Sequence, residues 1–344
     1  MSVLILAGLA ALTLAIAGVL YQSLGLAHDA RRFPPPGELV DVGGHRLHAV
    51  CRGHGTPTVV LESALAASSL SWARVQPDVA RITSVCAYDR AGLGWSDAST
   101  GPRTFARTLD ELHALLAQLK CTAPCVMVGH SFGVFVCLGY AARYPQTVGG
   151  LVLVDPPTEW VHADHRRVRL LWGAVQLSRL GGLLARLGVV RVCLALLTGG
   201  APAAPRHFVK VFGPMTARTL ERLVGEVRKL PAGIHPVVQA LWCQPKCFRA
   251  MADQLRMLQE ATASAAEVAS LGDVPLVVIS SADQTPDVTT AHHVLARRSS
   301  HSHVVFASKS GHWVPYDEPE LIVETIREVV ETVRRRDASA MRPD

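Results

Sequence analysis

A serine stands between two glycines in Gly129-His130-Ser131-Phe132-Gly133, directly after the apolar run Cys125-Val126-Met127-Val128. The helical pattern from Phe132 to Tyr144 follows at once. A strand that turns sharply into a helix at such a serine lifts the hydroxyl clear of the sheet, and small flanking residues let the turn close. The first turn of the helix adds positive potential where an oxyanion would develop. A serine hydroxyl is a poor nucleophile until a base takes its proton, and histidine is poised for that near neutral pH. The chain offers 15 histidines. His162 and His165 fall in a long helical stretch and His301 and His303 flank a strand, so solvation or local hydrogen bonding accounts for them. His312 differs, because it sits in a small-residue loop between the last strand pattern and the final helix. His130, beside the serine, reads as a residue that shapes the turn.

The elements that must position these residues are legible as an alternation. Leu39–Val42 and Arg46–Cys51 flank Gly43-Gly44 as a hairpin. Thr58–Leu61 and Ile82–Tyr88 are short apolar strands, Phe105 to Leu119 is an amphipathic helix, and Leu151–Val154 is a further strand. Continuous apolar strands alternating with helices predict a mostly parallel central sheet covered on both faces. From Pro156 the alternation stops for roughly a hundred residues. Leu180, Leu183, Leu184 and Leu187, then Leu220, Leu223, Val224, Val227 and Leu230, recur at helical spacing. Strands resume at Val274–Ile279 and His303–Ala307. A last helix carries Ile322, Ile326, Val329, Val330 and Val333 inward, with Asp317 and Pro319 at its start. The pattern divides the chain into an anchor over 1–30, a proline-rich spacer over 31–38, a core in two parts (39–157 and 271–336), a helical insertion over 158–270, and a disordered tail over 337–344.

Three stretches carry a family resemblance. Val128-Gly129-His130-Ser131-Phe132-Gly133, Asp89-Arg90-Ala91-Gly92-Leu93-Gly94-Trp95-Ser96-Asp97 and Ser310-Gly311-His312-Trp313 resemble the α/β-hydrolase superfamily. The resemblance covers about Leu39 to Pro156 and Val274 to Val333, and it extends to bacterial membrane-tethered members, whose substrates are mostly unassigned. The resemblance implies an α/β-hydrolase fold whose insertion forms a lid, and the chain order serine, acid, histidine, which His312 satisfies. It implies an acid at a strand end, where it orients the imidazole. Asp283, beyond the Val277-Val278-Ile279 strand, comes first, Asp155 at the end of Leu151–Val154 second, and Asp287 third. It implies an oxyanion hole built from the amides of Phe132 and Leu65. The loop holding Leu65 reads Glu62-Ser63-Ala64-Leu65-Ala66-Ala67 where a glycine-rich run is usual, and alanine adopts positive φ less readily. Glu62 reads as a solvated or hydrogen-bonded loop carboxylate.

The activity implied is hydrolysis of an ester, thioester or related acyl bond through an acyl-serine, on a small-molecule acyl substrate and without a cofactor. A serine at the elbow argues against a dehalogenase or epoxide hydrolase, whose families use aspartate there. The alternative is a membrane-bound ligand-binding protein that keeps the fold without turnover.

Composition narrows the setting. The chain has 344 residues, 49% hydrophobic and 18% charged, which excludes wholesale disorder. The net charge of +6 is spread out, and no basic run suggests nucleic acid. The eight cysteines lie mostly in apolar runs. Their two C-x-x-x-C spacings, Cys121/Cys125 and Cys243/Cys247, do not form a zinc set, so no metal is expected. Val3 to Leu20 is free of charge and apolar character continues to Ala27, enough for a single membrane span. A cleaved signal peptide competes, with Gly25-Leu26-Ala27 as its site, but no Lys or Arg precedes the run. Arg31 and Arg32 favour a cytoplasmic catalytic domain. Arginines alternate with Leu/Val clusters from Arg166 to Leu197. Such a helix either packs its apolar face on the sheet domain or lays it among lipid headgroups and admits a lipophilic substrate.

Overall fold

The structure, a computed structural model, describes residues 2–121, 124–157, 165–198 and 229–340. His162, Leu220, Leu223, Val224 and Val227 lie outside these residues. In chain order the elements are α1 (Ser2–Arg32), β1 (Glu38–Asp41), β2 (Arg46–Arg52), β3 (Val59–Glu62), α2 (Gln76–Val79), β4 (Val85–Tyr88), α3 (Phe105–Gln118), β5 (Cys125–His130), α4 (Phe132–Arg143) and β6 (Val148–Val154). Then come α5 (His165–Arg186), α6 (Val189–Thr198), α7 (His235–Trp242), α8 (Pro245–Glu267), β7 (Leu276–Ser281), α9 (Pro286–Ala296), β8 (Ser302–Ala307), α10 (Val314–Asp317) and α11 (Pro319–Ala340).

The chain folds into two units, one made of Pro35–Trp172 with Asp253–Asp344 and the other of Met1–Pro34 with Gly173–Ala252. The first unit holds a sheet in the order β1-β2-β4-β3-β5-β6-β7-β8. The pairs β1–β2 and β2–β4 are antiparallel and all others parallel. This is the mostly parallel α/β-hydrolase sheet expected. Side chains alternate across its pleat. Val60, Met127, Leu151, Leu153 and Val278 pack with α3 and α4, while Val59, Val126, Val128, Val152, Val154 and Ile279 pack with α11. Ile322, Ile326, Val329, Val330 and Val333 of α11 are all buried, each contributing about 1.5–3 kcal/mol by leaving water.

Three boundaries differ from the sequence reading. Ile82 closes the turn after α2 by bonding its amide to the Val79 carbonyl, so β4 begins only at Val85. Helix α1 continues through Arg32, because nothing before Pro34 interrupts its backbone bonding. Helix α11 reaches Ala340, beyond the expected start of the tail. Cys51 on β2 and Cys86 on β4 face each other in register and form a disulfide.

In the other unit, α1 packs with helices of the insertion through Gln22, Gly25 and Asp29.

Candidate active site

Sequence numbering along the sheet reverses direction between β3 and β5, where the chain winds outward to either side. In open parallel sheets the crevice at such a switch point, at the carboxyl ends of the strands, is where ligands bind. Ser131 follows β5 there, and the Ser63–Ser68 loop follows β3.

Ser131 has φ 53° and ψ −118°, a conformation that costs a non-glycine residue about 1–3 kcal/mol. The surroundings enforce it. The Ser131 amide bonds to the Val154 carbonyl at 3.0 Å, and the Ser131 carbonyl accepts from Val134 at 2.9 Å. A Cβ on Gly133 would collide with the Glu62 carbonyl, so the helix can approach β3 only with glycine there. Phe132 is the first residue of α4, and its amide belongs to the first turn, which has no carbonyl partner within the helix.

His312 presents Nε2 to Ser131 Oγ at 3.0 Å and Nδ1 to Asp155 Oδ2 at 2.7 Å. A carboxylate accepts only, so Nδ1 carries the proton and Nε2 is left as an acceptor facing the hydroxyl. Asp155 is the residue directly after β6, at φ 45° and nearly without exposure. It also accepts from the Ser281 amide (3.1 Å), Ser281 Oγ (2.9 Å) and Gln284 Nε2 (2.8 Å). Burial pushes the Asp155 carboxyl up, but the hydrogen bond and charge of His312, with Ser281 and Gln284, outweigh burial and hold it below its usual range.

The carboxylate at His312 is therefore Asp155 and not Asp283, which corrects the order of the sequence reading. Asp283 lies two residues beyond β7, exposed, with its carboxylate beside Gly311. Asp287 is exposed in the first turn of α9. The reason is the sheet order: β6 adjoins β5, so its end lies next to the elbow, whereas the end of β7 supplies Ser281 and Gln284 as donors to the acid.

His130 is wholly buried, and its Nε2 donates to the His312 carbonyl at 2.7 Å. Burial, with His312 nearby, pushes its pKa down to about 3, so the ring is neutral and holds the His312 backbone without competing as a base.

Leu65 lies partly buried in the loop after β3. Its neighbour Ala66 takes φ 57° despite lacking glycine's freedom, and the Ala66 amide bonds to Gln254 Oε1 on α8 at 2.8 Å. Beneath this loop Arg90 donates to the carbonyls of Ser63 (2.7 Å) and Ala64 and pairs with Glu62, which also accepts from Tyr88. Glu62 is thus a buried strand-end carboxylate, raised by its burial against the opposing effect of Arg90. The Arg90 guanidinium carbon also lies 5.1 Å from the Phe132 ring centroid. Asp89 fixes the segment that carries Arg90, accepting from the amides of Ser69 (2.7 Å) and Trp95 (3.0 Å) and meeting His48 Nδ1 at 2.8 Å. The Asp89-Arg90 pair in the sequence was the available signal for this network; Gln284 carried none, because its role depends on β6. Among the described residues no group of three or more His, Cys, Asp or Glu could hold a metal ion.

Residues 57–189 match the family model described as alpha/beta hydrolase fold. The uncharacterized protein YqjL of Bacillus subtilis is 30% identical over 132 residues, covering 36% of this chain and 52% of that protein. The chain thus spans about half the length of this curated relative. An epoxide hydrolase, CorEH, superposes with a TM-score of 0.63 at 18% identity, covering 86% of this chain and 98% of the other. A thermophilic esterase from Thermogutta terrifontis gives 0.58 at 20% identity, covering 86% and 97%. With the sheet order and the strand–serine–helix turn, these likenesses establish that the chain has the α/β-hydrolase fold.

Proposed function

We propose that the protein is a serine hydrolase of carboxylic esters, thioesters or related acyl bonds, with Ser131 as nucleophile, His312 as base and then acid, and Asp155 as the orienting carboxylate. The observation that carries this reading is the continuous contact from Asp155 through both ring nitrogens of His312 to a serine hydroxyl held at a strained elbow. His312 takes the Ser131 proton as the oxygen attacks the acyl carbon, and the imidazolium formed is stabilised by the buried Asp155 charge. The same proton passes to the leaving group, and a water activated by His312 then cleaves the acyl-serine. The amides of Phe132 and Leu65 are the proposed oxyanion donors, the second on a loop pinned by Arg90 and Gln254.

The substrate proposed is a small acyl compound, and α1 the proposed single membrane span; it is long and apolar enough to cross a bilayer. Arg31 and Arg32 favour the cytoplasmic side for the hydrolase unit, whereas the Cys51–Cys86 bridge belongs to an oxidising compartment. Protease access to sealed membranes decides the side.

A fluorophosphonate probe tests the chemistry. Labelling of the wild type that disappears in Ser131→Ala, with turnover of p-nitrophenyl esters of graded chain length, is the expected result. An unlabelled wild type that still binds acyl compounds would establish the non-catalytic alternative.

A further inference from the structure

Within the unit formed by α1 and residues 173–252, three polar contacts join the amino-terminal helix to the insertion. Gln22 is 2% exposed, donates to the Cys243 carbonyl at 2.7 Å and accepts from Arg191 Nε at 3.1 Å. Arg191 also pairs with Asp29 at 2.7 Å. One turn before Gln22 the two backbones touch: a Cβ on Gly18 would collide with the Leu187 carbonyl oxygen. Helix α1 is thus built into this unit and not merely attached before it.

The contacts also set a depth. A hydrocarbon layer of about 30 Å takes about 20 helical residues, which places its boundary near Gln22 when the span begins at Val3. Gly18 then lies about 6 Å inside that boundary and Asp29 about 10 Å outside it, at 1.5 Å per residue. The turn between α5 and α6, at Leu187-Gly188, is held against Gly18, and Arg191 is held at headgroup level.

What α5 and α6 turn outward is apolar. Leu177, Leu180 and Leu183 on α5 are about half exposed, as are Val189, Val192 and Leu196 on α6. On each helix they share one side at helical spacing, and on α5 that side lies opposite the buried Val175, Ser178 and Ala185. Exposed Arg179 and Arg186 follow one margin of the α5 stripe, and no Asp or Glu occurs between His165 and Thr198. An apolar face edged by arginines and sunk about 5–10 Å is the form of a helix lying at the boundary of headgroups and acyl chains.

We propose that the outward faces of α5 and α6 lie in the headgroup layer of the bilayer that α1 spans, held there by Gly18 and the Gln22–Asp29–Arg191 contacts. The proposal rests on the membrane reading of α1. It makes the insertion an integral interfacial element with a preference for anionic lipid, and it requires that α1 stay attached to the mature chain.

Full-length protein in phosphatidylcholine–phosphatidylglycerol vesicles containing a diazirine-acyl phosphatidylcholine provides the test, with adducts mapped by mass spectrometry. Adducts are expected on α1 and on the peptides bearing Leu180, Leu183 and Val189. Arg191→Asp is expected to lower the α5–α6 adducts at least fivefold and leave those on α1, and adding Asp29→Arg to restore them. Adducts confined to α1 keep the anchor and overturn the interfacial face, as does protection of that face by a second copy of the chain. No adduct on α1 overturns the membrane reading, and the proposal with it.

Discussion

Strands β6 and β7 lie side by side, both parallel, and each is followed within two residues by an aspartate. At β6 the aspartate comes at once, in a left-handed turn that folds its carboxylate back over the strand ends, 1% exposed and facing His312. At β7 the chain first spends Ser281 and Ala282, so Asp283 emerges into solvent while Ser281 turns its amide and hydroxyl toward Asp155. The difference teaches that a strand-end acid is defined by its donors as much as by its place in the chain. A buried carboxylate is costly unless charge and hydrogen bonds compensate it, and only the β6 end is furnished with them.

The comparison presupposes that a reaction depends on it. Ser131→Ala is expected to lower p-nitrophenyl ester turnover by about 10⁶-fold with the fold intact by circular dichroism, since losing a nucleophile removes the whole relay. Retention of more than a hundredth of the rate would remove Ser131 from its assigned role.

Asp155→Asn is the sharpest test between the two strand ends. An amide at that position leaves His312 without its charge partner and favours the wrong tautomer, which costs about 10⁴-fold in kcat. Asp283→Asn, at an exposed loop position, should stay within about twofold of wild type. The reverse ranking, with both variants folded, would transfer the acid to β7.

A smaller effect is expected from the donor that β7 lends to β6. Gln284→Ala removes hydrogen bonds to an ionised carboxylate, worth about 1.5–3 kcal/mol, so kcat should fall at least tenfold. The acid limb of the pH–rate profile should also shift, because the Asp155 carboxyl loses one of the groups that holds its pKa low. A purely structural role would lower the melting temperature and leave that limb in place.

A separate effect concerns stability and not rate. His130 has its pKa pushed down to about 3 by burial, against an unfolded value of about 6.5. Between those pH values the unfolded chain binds a proton that the native chain excludes, so stability falls as pH drops from about 6.5 toward 3 and is unaffected above that window. His130→Asn can still offer an N–H to the His312 carbonyl but does not titrate. Urea denaturation between pH 4 and 7 should therefore show a flatter dependence in the variant, and an equal slope in both would refute the assignment.

Much of this was legible from local pattern alone. The apolar run ending at Ser131 in a Gly-x-Ser-x-Gly turn, the alternation of strands and helices, and His312 in its loop before the last helix are properties of consecutive residues. Strand propensity, helical periodicity and glycine's small size act over short range, so the primary structure determined the elements, the elbow and the candidate base. The acid was a different matter, because Asp155 and Asp283 both satisfy the strand-end rule. The choice depended on β6 lying against β5, on Gln284 reaching back across β7, and on a backbone angle at Asp155 that no neighbouring residue announces. The same holds for Gln22, Asp29 and Arg191, which read as ordinary polar residues in their own segments. Their pairing spans more than 150 positions of sequence, and only the packing of α1 within its unit brought them to hydrogen-bonding distance.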